Sequence, residues 1–173
     1  MVILIGYRCT GKTSVARQLG EALNLPIMDS DAVIQQRTEK SIAEIFADSG
    51  ENGFRDIEES VITEIVQRHE PMILSTGGGV ILRQTNRQYL RSAGKVIWLT
   101  ATPETIIERL YADVQSRSLR PTLTTLPPLE EVKTLLAHRN PLYAETAHEI
   151  IATDSLTVSE IVKKIADFGK RLK

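Results

Sequence analysis

Residues 6–13 read Gly6-Tyr7-Arg8-Cys9-Thr10-Gly11-Lys12-Thr13 and fit the pattern G-x-x-x-x-G-K-[ST] at every fixed position. A short apolar run at 2–5 precedes this stretch and an amphipathic pattern follows it. Between a buried strand and a helix, the glycines let backbone amides approach an anion, which the positive helix end also attracts. A ligand-free Gly-Lys turn is the alternative, and the strand–loop–helix context argues against it. The stretch therefore predicts a nucleoside triphosphate site, in which the lysine reaches the outer phosphates and the threonine hydroxyl ligates Mg²⁺.

Short apolar runs alternate with longer amphipathic stretches along the rest of the chain. The runs show no polar–apolar alternation, which is typical of strands that are buried on both faces of a parallel sheet. We predict strands at 2–5, 27–28, 72–74, 95–99 and 149–151. We predict helices at 13–23, 51–68, 85–92, 103–111, 129–143 and 158–172, with a further short one at 41–48. This alternation predicts a doubly wound α/β sheet.

Length and composition indicate which classes of protein this chain can belong to. At 173 residues the chain has the length of one domain, and a net charge of −1 gives no sign of a nucleic-acid or membrane partner. The single cysteine, Cys9, excludes an internal disulfide, and no apolar run is long enough for a membrane span. The three histidines have no metal-ligand spacing. We therefore expect a soluble cytoplasmic protein.

Residues 112–128 are rich in Thr, Pro, Arg and Leu and show no clear period. A loop this long in a compact domain is usually either disordered or a functional lid. Arg117 and Arg120 lie in it, and a mobile arginine could offset charge on a moving phosphoryl group while the loop excludes water. An exposed basic loop is the alternative.

Two carboxylates, Asp29 and Asp31, follow the predicted strand at 27–28. Ligands of open α/β sheets bind beyond the carboxyl ends of the strands, which is where this pair should lie. If the backbone there is extended, both side chains project to one side, so one could face Mg²⁺ and the other an acceptor hydroxyl. Capping of a helix N-terminus by either residue is an equal alternative.

A triple glycine and two arginines are further candidates for the site. The glycines at 77–79 follow a strand directly, which favours backbone amides lining a site over a flexible turn. Arg55 precedes Glu58 and Glu59 by three and four positions, so a weak surface ion pair would also explain it. A solvated side chain would explain Arg139.

Taken together, these motifs resemble the shikimate kinase family in order and spacing over about residues 2–145. The stretches that carry the resemblance are 6–13, Asp29-Ser30-Asp31, Gly53-Phe54-Arg55, Gly77-Gly78-Gly79, Leu119-Arg120-Pro121 and Arg139-Asn140-Pro141-Leu142-Tyr143. The lid, with Arg120-Pro121-Thr122-Leu123-Thr124, looks most like that of the second enterobacterial isozyme.

The resemblance implies a three-layer P-loop kinase fold, related to that of the nucleoside monophosphate kinases. It implies a five-stranded parallel sheet in the order 2-3-1-4-5, flanked by helices, with a substrate-binding region at about 29–62 and a lid at about 112–127. All 173 residues would form one kinase domain, and the protein would be a monomer.

The implied activity is the ATP-dependent phosphorylation of the 3-hydroxyl of shikimate, a step toward chorismate and the aromatic amino acids, with ATP as co-substrate and Mg²⁺ as cofactor. The implied catalytic residues are Lys12, Arg120 and Asp31. Of these, Asp31 contacts the shikimate hydroxyls and accepts a proton. The implied nucleotide-binding residues are Cys9, Thr10, Gly11, Lys12, Thr13, Ser14, Arg109, which would stack on adenine, and Arg120. Shikimate would be bound by Asp31, Arg55, Gly77, Gly78, Gly79 and Arg139. Magnesium would be bound by Thr13 and, through water, by Asp29.

The chain departs from the family pattern at two places. Cys9 stands where the family usually has glycine, followed by Thr10 where Gly or Ala is common. We expect nucleotide binding to survive with altered affinity and the thiol to confer sensitivity to thiol reagents. The segment at 151–154 lacks the acidic residue that often precedes Ala-Thr, which affects the adenine pocket.

Two other functions are compatible with the phosphate loop alone. One is another small-molecule or nucleoside monophosphate kinase, against which the triple glycine and the pair Arg55/Arg139 argue. The other is a nucleotide-sensing switch or GTPase, against which the absence of an Asn-Lys-x-Asp motif argues.

Overall fold

The computed structural model describes residues 1–112 and 127–170, with the backbone alone at 168–170. The strands are β1 (Val2–Ile5), β2 (Ile27–Asp29), β3 (Ile73–Ser75), β4 (Lys95–Thr100) and β5 (Glu149–Ala152). The helices are α1 (Lys12–Leu23), α2 (Ser30–Thr38), α3 (Ile42–Gln67), α4 (Gln84–Ala93), α5 (Pro103–Ala112), α6 (Pro128–Thr146) and α7 (Val158–Lys170), with a 3₁₀ turn at Val80–Leu82.

The five strands form one sheet in the order β2-β3-β1-β4-β5, and every neighbouring pair is parallel. This confirms the fold class and the strand order that the resemblance implies. The central strand is β1, in which Ile3 lies opposite Leu74 of β3 and Val96 of β4. The carboxyl end of β1 therefore lies in the middle of that edge of the sheet, and the phosphate loop begins there.

Apolar side chains cover both faces of the sheet, as the unalternating strands predict. On one face Leu4 of β1 packs in a buried cluster with Val15 of α1 and Ile161 of α7. On the other face the neighbouring Ile3 belongs to a larger cluster that includes Val61 of α3. Because successive side chains of a strand point to opposite faces, β1 packs against the helices on both sides of the sheet.

Two helical segments differ from the sequence-based prediction. Helix α2 has no predicted counterpart because only Ile34 of its apolar residues is fully buried, so no apolar stripe marks it. The predicted helices at 41–48 and 51–68 form the single element α3, which Gly50 interrupts with a φ of 66° and a ψ of −174°. The glycine leaves two helical segments that meet at a kink, close to the predicted pair.

Most of the predicted lid, with Arg117 and Arg120, lies outside the described residues, as does the end of the helix predicted at 158–172. The predictions for these residues stay predictions, as does the narrower resemblance to the second enterobacterial isozyme. None of the helices formed by residues 1–112 and 127–170 combines the length and the apolar character needed to cross a bilayer.

Candidate active site

The phosphate loop joins β1 to α1 and is held by its own side chains. Lys12 donates 2.8 Å hydrogen bonds from Nζ to the carbonyl oxygens of Gly6 and Tyr7. The buried hydroxyl of Thr10 donates to the Tyr7 carbonyl at 2.8 Å. Gly11, with a φ of 91°, is the N-cap of α1, a backbone angle that a side chain would strain. The N-terminus of α1 thus faces the space in front of the loop, as an anion site requires.

That space is a cavity of about 550 Å³, large enough for a small-molecule substrate. It lies at the carboxyl ends of the strands, where ligands of open α/β sheets bind. The predicted site residues that line it are Cys9, Gly11, Lys12, Thr13, Ser14, Asp29, Asp31, Arg55, Gly77, Gly78, Gly79, Arg109 and Arg139. Thr10 does not line it, because its hydroxyl is buried against the loop, and Arg120 lies outside the described residues.

The acidic pair combines both alternatives that the sequence leaves open. Asp29 caps α2, because its Oδ1 accepts from the backbone N–H groups of Asp31 at 3.0 Å and Ala32 at 3.3 Å. Asp29 has an extended backbone, with a φ of −113° and a ψ of 121°, but Asp31 lies in the first turn of α2, so the extended stretch considered above ends at Asp29. Asp29, at the end of β2, and Asp31, in the first turn of α2, both line the cavity.

Arg55 forms a buried ion pair with Glu58, one helical turn further along α3. Arg55 Nη1 donates to Glu58 Oε2 at 2.6 Å, and the two residues are 7% and 0% exposed. Burial raises the pKa of Glu58 to about 7, although the Arg55 guanidinium acts in the opposite direction. The weak surface pair considered above is therefore wrong for this position, and a solvent-poor cation lies in the cavity wall.

The triple glycine makes room for side chains from α2 and α3. A Cβ atom on Gly77 would lie 2.5 Å from Asp31 Oδ1, and one on Gly79 would overlap the Arg55 guanidinium. The Gly77 N–H also donates to Ser30 Oγ at 3.2 Å. These two glycines are thus required by close approach of charged side chains, which the prediction of amides lining a site did not anticipate.

Arg139 of α6 is 7% exposed, so the solvated side chain considered above is wrong. Its Nη1 donates to the Gly78 carbonyl at 3.5 Å, and the buried hydroxyl of Tyr143 donates to the same oxygen at 2.5 Å. Tyr143 stacks on Trp98 of β4 with ring centroids 5.4 Å apart. The glycine segment is thereby fixed to α6, and Arg139 lines the cavity.

Arg109 of α5 ties the phosphate loop to the segment after β5. Its guanidinium donates to the Cys9 carbonyl at 3.2 Å, to Thr153 Oγ1 at 2.9 Å and to the Thr153 carbonyl at 2.7 Å. Thr153 in turn donates from Oγ1 to the Thr100 carbonyl at 3.0 Å. Arg109 therefore connects the phosphate loop to the segment at 151–154, where the chain departs from the family pattern.

Of the two phosphate-loop residues that depart from the family pattern, only one has an unusual backbone angle. Cys9 has a φ of 62°, a region that L-residues other than glycine rarely adopt, whereas Thr10 is not among the residues with positive φ. The cysteine is partly exposed and lines the cavity. The glycine that the family usually has at this position would adopt the same angle without strain.

Sequence reasoning missed several residues of the cavity region. Glu58 lies in the buried stripe of α3 between Phe54 and Val61, and its helical spacing from them could have revealed it. Tyr7 and Arg8 occupy variable positions of the loop pattern and carried no signal. Glu131, at the first turn of α6, accepts a 2.5 Å hydrogen bond from Arg8 Nη2, a contact across 123 residues of sequence.

Thr13 and Asp29, which both line the cavity, could contribute oxygen ligands to a divalent cation. Within residues 1–112 and 127–170, no cluster of three or more His, Cys, Asp or Glu side chains could by itself hold a metal ion. That donor set, a hydroxyl and a carboxylate beside a phosphate loop, suits Mg²⁺, which takes few protein ligands and completes its shell with phosphate and water oxygens.

Comparison with known proteins identifies the family of this chain. A family model described as shikimate kinase matches residues 8–170. The shikimate kinase of Rhodopirellula baltica is 40% identical over 162 residues, which cover 94% of this chain and 86% of the relative. That of Paracidovorax citrulli is 42% identical over 165 residues, covering 94% of this chain and 88% of the relative.

A solved structure extends the comparison to the fold. The shikimate kinase from Acinetobacter baumannii, in complex with shikimate, superposes with a TM-score of 0.91 at 35% identity, over 99% of this chain and 93% of that one. Family model, relatives and fold thus agree over nearly the whole chain. This chain belongs to the shikimate kinase family.

Proposed function

We propose that this protein transfers the terminal phosphoryl group of ATP to the 3-hydroxyl of shikimate, giving shikimate 3-phosphate and ADP. The observation that carries the proposal is that one cavity holds both a phosphate loop and two nearly enclosed arginines, Arg55 and Arg139. A small carboxylated polyol offers these guanidinium groups a carboxylate to bind, which a neutral sugar lacks. Membership of the shikimate kinase family supports the same acceptor.

The acceptor is held by side chains from three helices. Arg55 and Arg139 bind the carboxylate, and Gly78, between Gly77 and Gly79, adds a backbone contact. Asp31 binds the ring hydroxyls and takes the proton of the 3-hydroxyl as its oxygen attacks the γ-phosphorus. The bond between that phosphorus and the bridging oxygen of ADP breaks, so the phosphoryl group moves to the acceptor and ADP leaves with the electron pair.

The nucleotide is held by the phosphate loop. The backbone of the loop up to Ser14 surrounds the phosphates, while Lys12 offsets the negative charge that develops on the outer ones. Arg109 lies beside the adenine. The predicted role of Arg120, to offset charge on the moving phosphoryl group, concerns a residue outside the described ranges and stays a prediction. Thr13 and, through water, Asp29 would hold Mg²⁺, which would supply positive charge to offset that on the phosphate oxygens.

A coupled assay of ADP release tests the proposal with four parallel reactions, which contain shikimate, gluconate, AMP or no acceptor. We expect release to depend on shikimate, and ³¹P NMR of the product to show a monoester at the 3-oxygen. Faster release with gluconate or AMP would assign the protein to another kinase activity. Equal release without any acceptor would indicate a nucleotide hydrolase or switch.

A further inference from the structure

We propose that Tyr7, Arg8 and Glu131 are positioning residues that set where Arg139 stands, so that the variable part of the phosphate loop determines recognition of the acceptor's carboxylate. The inference rests on the proposed function and deepens it. None of the three residues is assigned a role in the chemistry above.

Tyr7 and Arg8 dock on one face of α6. Glu131, Leu135 and Arg139 follow one another at intervals of four residues, which places them along one side of a helix. Tyr7 packs there in a small buried cluster with Ile106, Val132 and Leu136, and Leu135 packs against the same cluster. The loop thus contacts the helix that carries Arg139.

An ion pair fixes the amino-terminal end of this contact. Arg8 Nη2 donates to Glu131 Oε1 at 2.5 Å, and the two side chains are 15% and 4% exposed. A charge pair that is this well enclosed has a strong preference for its partnered geometry, because either charge left alone would be poorly solvated. The pair therefore holds the first turn of α6 against the phosphate loop.

The ring of Tyr7 links this pair to Arg139. The guanidinium carbon of Arg8 lies 5.6 Å from the ring centroid, and that of Arg139 lies 5.8 Å from it. Both distances are within the range of cation–π attraction. Arg139 is therefore held from the loop side by Tyr7 and from the glycine side by the carbonyl of Gly78.

Charge complementarity favours this arrangement for an anionic acceptor. Glu131 offsets the charge of Arg8, so the positive charge of Arg139 remains for the ligand. If Glu131 were neutral, the loop would lose its anchor on α6 and Arg139 would shift with the helix. Displacement of a binding group by about 1 Å can lower kcat/KM up to about a hundredfold.

The test compares shikimate with its methyl ester, which lacks the carboxylate charge. We expect Glu131→Gln to lower kcat/KM for shikimate by about ten- to a hundredfold while that for the ester changes by less than about threefold. The KM for ATP should stay near the wild-type value. Glu130→Gln, which removes an exposed carboxylate one residue away, is the matched control and should behave like wild type.

A double-variant cycle shows whether Glu131 acts through Arg139. In an Arg139→Gln background, Glu131→Gln should cause no further loss of preference for shikimate over the ester. Additive losses, equal losses for both acceptors, or no loss at all would each overturn the inference. If the wild-type protein phosphorylated neither acceptor, the proposed function would fail and the inference with it.

Loss of one charge could instead prevent folding, which circular dichroism and thermal unfolding would reveal. The variant Arg8→Met/Glu131→Met removes both charges and retains the apolar length of both side chains, so no buried charge is left alone. We expect this variant to fold and to show the same selective loss for shikimate. A folded double variant with the wild-type preference would overturn the inference.

Discussion

Arg55 donates a 2.6 Å hydrogen bond from Nη1 to Oε2 of Glu58, and both side chains are almost completely enclosed on the cavity side of α3. The other carboxylate oxygen of Glu58, Oε1, is buried and has no hydrogen-bond partner among residues 1–112 and 127–170. Removing one partner of such a buried pair strongly destabilises the protein, because the other charge is left buried alone. The protonation of the pair is also linked to folding. It holds a cation in the wall of a site for an anionic acceptor.

The first prediction concerns the pH dependence of stability. Glu58 has a pKa of about 7 in the folded protein, raised from 4.5 by burial, so between these values the folded state binds more protons than the unfolded state. Its contribution to stability is therefore present below about pH 4.5 and is lost as the pH rises through about 7. Glu58→Gln cannot titrate, so the free energy of unfolding of wild type should fall relative to that of the variant across this interval. Urea denaturation at several pH values measures the difference.

Glu51→Gln is the matched control for this prediction. Glu51 Oε1 lies 3.5 Å from Nη2 of the same Arg55, but its side chain is 58% exposed. A difference between Glu58→Gln and wild type that stayed constant over the interval would show that Glu58 does not titrate there.

The second prediction concerns Asp31. Asp31→Asn retains the shape of the side chain but removes the proton acceptor, so we expect turnover to fall by roughly 10²- to 10⁴-fold. Nucleotide binding should persist, because the phosphate loop belongs to β1 and α1 and not to α2. Steady-state turnover and calorimetric titration with ADP measure the two effects. Near-normal turnover would remove Asp31 from the mechanism.

The third prediction concerns Arg139. Arg139→Ala removes a guanidinium that is 7% exposed and faces the acceptor region, so the KM for shikimate should rise by roughly tenfold or more. The KM for ATP should change little. Arg68→Gln serves as a control because its side chain is 43% exposed on the surface and pairs with Glu64. An unchanged KM for shikimate would contradict the proposed carboxylate contact.

The fourth prediction separates two neighbouring glycines. In Gly77→Ala the new Cβ would lie 2.5 Å from Asp31 Oδ1, so the carboxylate must move and turnover should fall sharply. In Gly78→Ala the nearest atom, the Gly6 carbonyl oxygen, would lie 3.4 Å away, which is ordinary contact. Turnover measurements on both variants, after a check of folding, test the difference. Equal losses would contradict the steric difference between the two positions.

The fifth prediction concerns the strained angle at Cys9. Cys9 has a φ of 62°, which disfavours any residue with a Cβ atom. Because alanine retains that atom, Cys9→Gly should be more stable than Cys9→Ala by about 1 kcal/mol. Both variants should lose inactivation by iodoacetamide if the wild-type protein shows it. Thermal unfolding of the two variants, compared at equal pH, gives the stability difference, and equal stabilities would contradict it.

Much of the fold could be read from local patterns. Each predicted strand overlaps an observed one, because strands buried on both faces produce apolar runs. The order of the strands came from the resemblance and not from any pattern in the runs. Helix α2 was missed because the apolar stripe that marks a helix is absent where polar residues face a cavity.

The sequence by itself determined the phosphate loop, since its pattern of glycines, lysine and threonine is local and its backbone fixes where phosphates are held. It also determined the family. Only the tertiary structure decided that Gly77 and Gly79 make room for Asp31 and Arg55, and that Arg8 of the loop meets Glu131 of α6. Such contacts join residues that are tens of positions apart or more, and which partner fills a given space depends on how the helices pack on the sheet.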